Sequence, residues 1–579
     1  MKNSNFTLTR RQFCQVSLGA FASAFFWGCQ DIKSVSSDNE ANKITVFHNG
    51  IVLPVDDNFS EHQAFSIKDN KILAVGSNQR ILSQAGSDAK VIDLKGRTVL
   101  PGFIEPHIHF ALMAFTGNWL DIGPLKYGTT ASALAALKKI ASEGPHDEWI
   151  VARQFDPSLQ AGPEMLTTSE LDAISNTRPV FVLNASGHLA YVNSKLLEIA
   201  GIARDTPDPP GAEYFRFADG TPNGAMTQKA YFPILLSNEK LMNTFNEGAV
   251  ESGIQVGDEA SSLGITTICD MATGGGSGYE EINNYRQMFI TGKMKSRIRA
   301  YLYSEVADMW DKSGVKYGEG DEKVRVSGWK VVFDGSNQGR TGRQREPYLN
   351  SNNLGVFYVQ PKELKQIIIQ RSQKGWPLAL HGNGDAAIDS ILDGVEAASK
   401  EGVDVKKLRC RIEHCSILHD DQIERMAKLG VVPSFLINHV YYWGKAMRDD
   451  IFGPEKAQLL DRCASVEKAG LRWSMHSDAP VSPMGTLHKI RVAVARDLWR
   501  EPGSILAPQE KVSVEAAIRA VTINAAWQCH SENEIGSLET DKLADFVILD
   551  KDPRKVEPTT ISDIRISETW MDGRQVFRS

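Results

Sequence analysis

One stretch of the sequence decides the fold: Thr98-Val99-Leu100-Pro101-Gly102-Phe103-Ile104-Glu105-Pro106-His107-Ile108-His109. An apolar strand ends here in two histidines, and residues at i and i+2 of a strand point to the same side. His107 and His109 can therefore bind one metal ion together, because neutral imidazole is a common ligand for zinc and similar ions. The motif alone is weak evidence, so its weight depends on further ligands at other strand ends.

Apolar strands recur along the middle of the chain with helical stretches between them, a pattern typical of parallel strands with helical crossovers. Together with the strand before His107, the candidates approach the roughly eight strands of a TIM barrel. The other candidate strands are Ile265–Asp270, Arg297–Tyr303, Val326–Asp334, Leu378–His381, Arg409–His414, Val431–Phe435 and Arg472–Asp478.

The two ends of the chain show a different pattern, in which short strands alternate with turn residues. Residues 43–100 and 536–579 are predicted to form one small composite β-sandwich domain. Residues 101–535 then form the barrel, and residues from about 112 to 255 are too many for one crossover. We therefore predict an α/β protein: a distorted TIM (β/α) barrel with an inserted subdomain and a sandwich built from both termini.

Further candidate ligands lie where a predicted strand gives way to a loop. They are His381, His414 and Asp478. The carboxyl ends of barrel strands share one face, which is where active sites of such barrels lie. Each residue alone is more often a polar side chain with ordinary partners, but together with His107 and His109 they indicate an enzyme built around bound metal.

Lys330 lies within an otherwise apolar strand, where a lysine is unfavourable unless it is neutral or paired. Burial lowers the pKa of a lysine, and a neutral amine can capture carbon dioxide as a carbamate. Such a carbamate would be an anionic bridge between two metal ions. The alternative is a lysine paired with a nearby carboxylate such as Asp334.

This order of residues resembles the amidohydrolase superfamily, and within it the amidohydrolase-3 group of N-substituted formamide deformylases and YtcJ-like proteins. The resemblance runs from about Thr45 to Phe577. The motifs that carry it are Pro101-Gly102-Phe103 before His107-x-His109, Gly187-His188, Lys330 with Asp334-Gly335-Ser336, His381 with Gly384-Asp385, Arg411-Ile412-Glu413-His414, and Ser477-Asp478-Ala479-Pro480.

The resemblance implies two divalent metal ions, with zinc the expected element. His107 and His109 would hold one ion and His381 and His414 the second, with a carboxylated Lys330 between them. Asp478 would touch the first ion and transfer the proton.

Three positions depart from the family pattern. Glu105 stands where the family usually has an Asp, two residues before the first histidine. Ser186 replaces the usual Asp before Gly187-His188. Gln228 stands where a Glu often follows the Pro-Thr-Gly segment, which is Pro222-Asn223-Gly224 here. None of them removes a predicted ligand, but the last two leave the substrate class open.

The expected reaction is hydrolysis of an amide-type C–N bond of a small molecule, with Asp478 as the proton acceptor and donor. His188 is a candidate for stabilising the oxyanion; the alternative is a structural histidine. For substrate contacts the sequence offers an aromatic segment with His439, Tyr441, Tyr442 and Trp443, and a cation at Arg340. The alternatives are a loop packed on the barrel rim and a solvated surface charge.

Composition narrows the function further. The net charge of -7 gives no basic footprint, so nucleic-acid binding is disfavoured.

Rival functions remain on the same barrel: a deaminase, a cyclic amidase, a carbon–carbon hydrolase or an isomerase. A non-catalytic exported lipoprotein that binds a ligand is a further alternative.

The N-terminus carries targeting signals. Arg10-Arg11 followed by the apolar stretch Val16–Trp27 resembles a twin-arginine (Tat) export signal over residues 1–29, and residues 30–42 are predicted to be a tether. The segment before Cys29 resembles a lipoprotein cleavage box, although Trp27 is bulky for one. We therefore expect the Tat machinery as a partner, a periplasmic or exported location, and contact with the membrane only through a lipid on Cys29. A homodimer stays open.

Cysteine usage agrees with folding before export. Apart from Cys14 and Cys29 in the export region, five of the seven cysteines remain, an odd number without metal-finger spacing. They are predicted to be buried thiols.

Overall fold

The computed structural model describes residues 43–144 and 147–579. The predicted export signal with Cys29 and the predicted tether lie outside these residues. Within the described ranges, no helix combines the length and the apolar character that a membrane span requires. The five cysteines of the described part are all buried and unpaired, as predicted.

The strands, in chain order, are β1 (Ile44–His48), β2 (Ile51–Val52), β3 (Ala64–Lys68), β4 (Lys71–Gly76), β5 (Lys90–Asp93), β6 (Thr98–Pro101), β7 (Phe103–Ile108), β8 (Leu120–Asp121), β9 (Ile150–Phe155), β10 (Val180–Asn184), β11 (Leu189–Val192), β12 (Tyr214–Arg216), β13 (Pro222–Thr227), β14 (Ile265–Thr273), β15 (Arg297–Tyr303), β16 (Val324–Val331), β17 (Leu378–Gly382), β18 (Arg411–His414), β19 (Val432–Phe435), β20 (Ser474–Met475), β21 (Asp497–Leu498), β22 (Glu501–Ile505), β23 (Phe546–Leu549), β24 (Ile566–Met571) and β25 (Arg574–Arg578).

The α-helices are α1 (Asn78–Gln84), α2 (Phe110–Thr116), α3 (Thr130–Glu143), α4 (Thr168–Asp172), α5 (Ser194–Ala200), α6 (Gln228–Leu236), α7 (Glu239–Ser262), α8 (Glu280–Ile290), α9 (Ala307–Ser313), α10 (Pro361–Gln373), α11 (Asp385–Lys400), α12 (Val405–Leu408), α13 (Asp420–Leu429), α14 (Gly444–Ala446), α15 (Cys463–Lys468), α16 (Thr486–Ala495), α17 (Val514–Ala520) and α18 (Ile523–Gln528).

The centre of the fold is an eight-stranded parallel sheet in the order β7-β14-β15-β16-β17-β18-β19-β20. The sheet closes because Ile108 bridges in parallel to Ala479, just after β20. The N–H of His109 also donates to the Ala479 carbonyl oxygen at 2.8 Å. Nearly continuous apolar strands are typical of a parallel sheet buried on both faces. The predicted distorted TIM barrel is confirmed.

Each of the predicted barrel strands is present; β15 has the predicted ends, and the others differ at one or both ends. β18 begins at Arg411 because Arg409 has a left-handed backbone with φ of 52°. β16 ends at Val331 because Asp334 bridges in antiparallel fashion to Phe357, which takes the chain out of the barrel sheet. Gly102 is needed at the start of β7, since a Cβ there would lie 2.2 Å from Oγ1 of Thr266.

Two smaller sheets join the ends of the described chain. One has the order β4-β3-β1-β5, and the other, β2-β6-β23-β24-β25, contains strands from both ends. Aromatic rings fill the space between them: Phe47 stacks on Phe65 at 4.7 Å, and Phe546 stacks on Trp570 at 5.3 Å. These rings belong to one buried apolar cluster.

A third sheet lies between β7 and β14 in the sequence, with the order β12-β13-β11-β10-β9-β8. Its last strand leads into α6, and α7 then returns the chain to the barrel at β14. Asn193 begins α5 by accepting the Leu196 N–H, and Gly201 ends it with φ of 68°. This inserted segment stands directly over the site described next.

Candidate metal centre and cavity

The predicted metal ligands meet at the carboxyl end of the barrel. Nε2 of His107 and Nε2 of His109 lie 3.1 and 3.2 Å from Oδ1 of Asp478. The His414 ring is 5.0 Å from that of His107 and 4.5 Å from that of His381. Residues far apart in the sequence thus converge on one small volume.

The backbone at this site is unusual. His414 and Asp478 have φ angles of 66° and 57°, a left-handed region that side chains other than glycine rarely adopt. Such backbone angles are held only when the surrounding structure imposes them, and they cluster at functional sites. The surrounding structure therefore holds the backbone of His414 and Asp478 in this conformation.

The donor set around Asp478 fits a cation. Nδ1 of His107 lies 2.5 Å from Oε2 of Glu413, and because a carboxylate accepts, Nδ1 carries the proton. Nε2 of His107 then presents a lone pair to Oδ1 of Asp478, which has no hydrogen-bond partner among the described residues. Two facing acceptors repel each other unless a cation lies between them. His107, His109 and Asp478 can hold a metal ion.

The second histidine pair has a matching arrangement. Nδ1 of His381 lies 2.8 Å from Oδ1 of Asp334, which also accepts the Asn383 N–H, so Nε2 of His381 carries a lone pair. Within the described part of the chain, Nδ1 of His414 is buried without a hydrogen-bond partner. Burial raises the pKa of Asp334 to about 7. The carboxylate orients His381, as metal-binding histidines are commonly oriented.

Lys330 is fully buried among these residues. Its Nζ lies 3.5 Å from Nε2 of His107, and burial lowers its pKa to about 8. No carboxylate in the described part of the chain lies within ion-pair distance of Nζ, and the alternative pairing with Asp334 is wrong, because Asp334 binds His381 and backbone N–H groups instead. The amine is left without a countercharge in direct contact.

Sequence reasoning missed the group that orients His107. The Glu413 carboxylate also accepts hydrogen bonds from Arg411. Burial raises the pKa of Glu413, but Arg411 and His107 outweigh it and hold the pKa well below its usual range. His476 stacks on the His107 ring at 4.4 Å and was also missed. The signal was the Arg411-x-Glu413 spacing, which places both side chains on one side of β18.

His188 lies at the same end, with its ring 5.1 Å from that of His381. Nδ1 of His188 is 3.3 Å from the Tyr358 hydroxyl, a contact that nothing in the sequence indicated. Burial lowers the pKa of His188 to about 3, so the imidazole is neutral. A neutral imidazole has one N–H to donate.

A cavity of about 700 Å³ opens onto this centre. His109, His188, His381, His414 and Asp478 line its inner end. Most of the remaining wall is apolar and comes from α2, α6, α7 and the segment after β15. A concave, mostly apolar site with a few convergent polar groups is typical of small-molecule binding.

The aromatic segment predicted to contact substrate does not line this cavity. The Trp443 indole N–H donates to Asp156 at 2.7 Å, and the Tyr441 and Tyr442 rings pack against His488. His439 is buried, with Nδ1 next to the Ser416 hydroxyl. A π-helical turn over His439–Trp443 directs these side chains into the packing around the barrel.

Arg340 is also absent from the cavity wall. Its guanidinium donates to the Asp450 carbonyl oxygen at 3.1 Å in an exposed position. The loop after β16 thus takes Arg340 away from the metal centre, and the cavity receives no charge from it.

The departures from the family pattern have local explanations. Glu105 reaches Nζ of Lys489 at 2.5 Å and accepts the Ser477 N–H at 3.0 Å, beside Asp478. The Ser186 hydroxyl accepts the His188 N–H at 3.2 Å. Gln228 begins α6 and lines the cavity. All three substitutions thus border the site.

Comparison with known proteins identifies the family. The model of the Amidohydrolase family matches residues 90–577, and the chain belongs to this family. It is 27% identical over 536 residues to N-substituted formamide deformylase of Arthrobacter pascens, covering 91% of this chain and 96% of the relative. It is 26% identical over 550 residues to the putative amidohydrolase YtcJ of Bacillus subtilis (strain 168), covering 92% and 99%.

Among solved structures, an uncharacterized metal-dependent hydrolase from Pyrococcus horikoshii OT3 aligns with a TM-score of 0.70 at 23% identity, covering 89% of this chain and 99% of that chain. One from Pyrococcus furiosus aligns with a TM-score of 0.67 at 24% identity, covering 88% and 100%. At this level of identity the likeness concerns the fold.

Proposed function

We propose that this protein hydrolyses an amide-type C–N bond of a small molecule, an N-substituted formamide or an acyl amine. The observation that carries the proposal is the convergence of acceptor atoms from His107, His109 and Asp478 at the inner end of the cavity. The printed name of the Arthrobacter relative, a formamide deformylase, supports the same bond type.

The proposed cofactors are two divalent ions, with zinc the expected element because imidazole and carboxylate suit it. His107, His109 and Asp478 would hold one, and His381 and His414 the other. Carboxylation of Lys330, in which Nζ adds to carbon dioxide and loses a proton, would give an anion between the two. When bound, such ions supply Lewis-acid chemistry that acidifies water and polarises a carbonyl.

The protein's own groups would move the protons. As water adds to the carbonyl carbon, Oδ1 or Oδ2 of Asp478 accepts its proton. As the C–N bond breaks, the same carboxyl returns that proton to the departing nitrogen, giving a carboxylic acid and an amine. We assign the Tyr358 hydroxyl as the donor to Nδ1 of His188, which lies 3.3 Å away; in that tautomer Nε2 carries the proton and can donate to the carbonyl oxygen as charge develops there.

The test is direct measurement of both products. Purified protein with added zinc should release equimolar formate and amine from N-benzylformamide. Asp478→Asn should lower turnover by roughly three orders of magnitude, while Asp393→Asn, an exposed aspartate paired with Arg425, should not. Absence of amine and of the matching carboxylic acid across formamides and acyl amines, from protein shown to contain metal, would reject the proposal.

We further propose export by the twin-arginine route, on the basis of Arg10-Arg11 and the apolar stretch after it. Replacing both arginines by lysine should leave the protein in the cytoplasmic fraction, whereas Lys33→Arg should not. Mass spectrometry of the mature N-terminus decides whether Cys29 carries lipid. Unchanged export of the double lysine variant would contradict the route.

A further inference from the structure

We propose that the inserted segment makes this enzyme selective for uncharged substrates with a large apolar substituent, a group the size of naphthalene. The inference rests on the proposed amide hydrolysis and adds the substrate class. It is carried by one part of the cavity, the apolar wall, which we define as Phe115, Tyr231, Phe232, Leu235, Phe245 and Met309.

The apolar wall joins two apolar clusters of the structure. Phe115 on α2 packs edge-on against Phe245 on α7 at 4.9 Å, and Leu235 on α6 is buried. Leu236 at the cavity edge is 38% exposed, so the apolar surface extends to solvent. A cavity of about 700 Å³ is far larger than a methylamide requires. An apolar substituent that fills it would remove both its own surface and the wall from water.

The apolar wall is tied to the reacting end. The N–H of Gln228, the first residue of α6, donates to the His188 carbonyl oxygen at 2.9 Å. The Tyr231 hydroxyl, one turn further on, donates to the Gly187 carbonyl oxygen at 2.5 Å. A group seated on α6 therefore lies within one helical turn of His188. The substituent would then be attached directly to the amide that reacts.

The charged residue of α6, Lys229, is already paired. Nζ of Lys229 lies 3.3 Å from Glu305 and donates to the Tyr358 carbonyl oxygen at 3.0 Å. Arg153 and Asp270 also line the cavity, on β9 and β14, outside the apolar wall. None of the six described residues of the apolar wall carries a charge, so a charged substituent seated on it would lose its hydration there without compensation.

The residues of the apolar wall do not lie on the barrel strands that carry the predicted metal ligands. Five of its six members lie in the inserted segment, on α2, α6 and α7, and the sixth, Met309, lies on α9 after β15. The aromatic barrel segment His439–Trp443 takes no part. Substitution in the insert should therefore change substrate choice without changing the metal ligands.

The experiment uses a matched set of formamides on the zinc-loaded, full-length protein: N-methyl, N-benzyl and N-(2-naphthylmethyl), with N-(4-carboxybenzyl) as the charged analogue. We expect kcat/KM to rise roughly tenfold or more for each added ring. The carboxybenzyl compound should fall below the benzyl compound by about tenfold or more. A flat or reversed series, or preference for the charged analogue, would overturn the inference.

Variants of the apolar wall test whether its residues cause the preference for the larger substituent. Phe245→Ala and Met309→Ala should each lower kcat/KM for the naphthyl substrate by roughly tenfold and leave the methyl substrate within about twofold. The matched control is Ile290→Ala, an apolar truncation at a residue 73% exposed outside the cavity. Equal losses on both substrates would contradict selection by this wall.

Calorimetric binding of N-(2-naphthylmethyl)formamide separates the two proposals. Binding that Phe245→Ala weakens, without turnover, would support the apolar wall and reject the hydrolysis. Turnover of the methyl compound without binding of the naphthyl compound would reject the apolar wall alone. Neither binding nor turnover of any compound would reject both.

Discussion

Glu413 orients His107: Oε2 of the glutamate lies 2.5 Å from Nδ1 of the imidazole and so fixes Nε2 as the free nitrogen. Arg411 holds the glutamate in turn, and all three side chains are buried. The metal-binding nitrogen of His107 is therefore selected by a residue that does not face the cavity. The relationship gives Glu413 and Arg411 a measurable role.

Shortening this carboxylate should weaken metal binding. Glu413→Asp keeps the charge beside Arg411 but withdraws the oxygen from Nδ1 of His107. Loss of such an orienting partner typically lowers metal affinity about 10- to 100-fold. Competition with a chelator, read by elemental analysis, measures it. The control is Glu534→Asp, which shortens a partly exposed carboxylate paired with Arg325. Unchanged affinity in Glu413→Asp would contradict the orienting role.

Lys330 offers a second prediction, because its buried amine has no countercharge in direct contact. Lys330→Ala should lose metal and activity together. In the unaltered protein stripped of metal, reconstitution should depend on bicarbonate, and ¹³C-labelled bicarbonate should give a carbamate signal that the variant lacks. Full metal content and an unchanged rate in Lys330→Ala would reject the carbamate.

The Glu105–Lys489 pair gives a prediction about stability. Both side chains are buried, and Glu105 also accepts the Ser477 N–H next to Asp478. Lys489→Met should leave an unpaired buried carboxylate and lower the free energy of unfolding by roughly 3–5 kcal/mol. Adding Glu105→Gln should recover part of the loss, which urea denaturation can measure. Exposed Lys400→Met serves as the control, and a loss that the double variant deepens would contradict the pairing.

The sequence predicted the barrel and the convergence of ligands because both depend on local patterns. Apolar strands mark the sheet, and His107, His381 and Asp478 lie at or just past strand ends, which a parallel barrel must bring together. It did not predict the partners of these residues, since Glu413 and Tyr358 act through contacts between distant segments.

For a related reason, the sequence did not show which residues line the cavity. Aromatic residues at 441–443 are equally suited to a pocket and to packing, and composition does not show which way a side chain points. The π-helical turn directs Trp443 to Asp156 instead. Five of the six residues that form the apolar wall lie in the insert, where no barrel rule relates sequence position to the active site.

Tyr358 should affect catalysis only through His188, since its hydroxyl lies 3.3 Å from Nδ1 of that ring. Tyr358→Phe removes the donor that keeps the proton on Nε2, so we expect kcat to fall roughly tenfold with KM nearly unchanged, because the lost N–H acts as charge develops on the carbonyl oxygen. His188→Ala should cost about 100-fold. In that background, Tyr358→Phe should have no further effect, as a double-mutant cycle would show. Tyr317→Phe, at a partly exposed ring outside the cavity, is the control. Additive losses would mean that Tyr358 acts independently of His188, and the assigned tautomer would then be wrong.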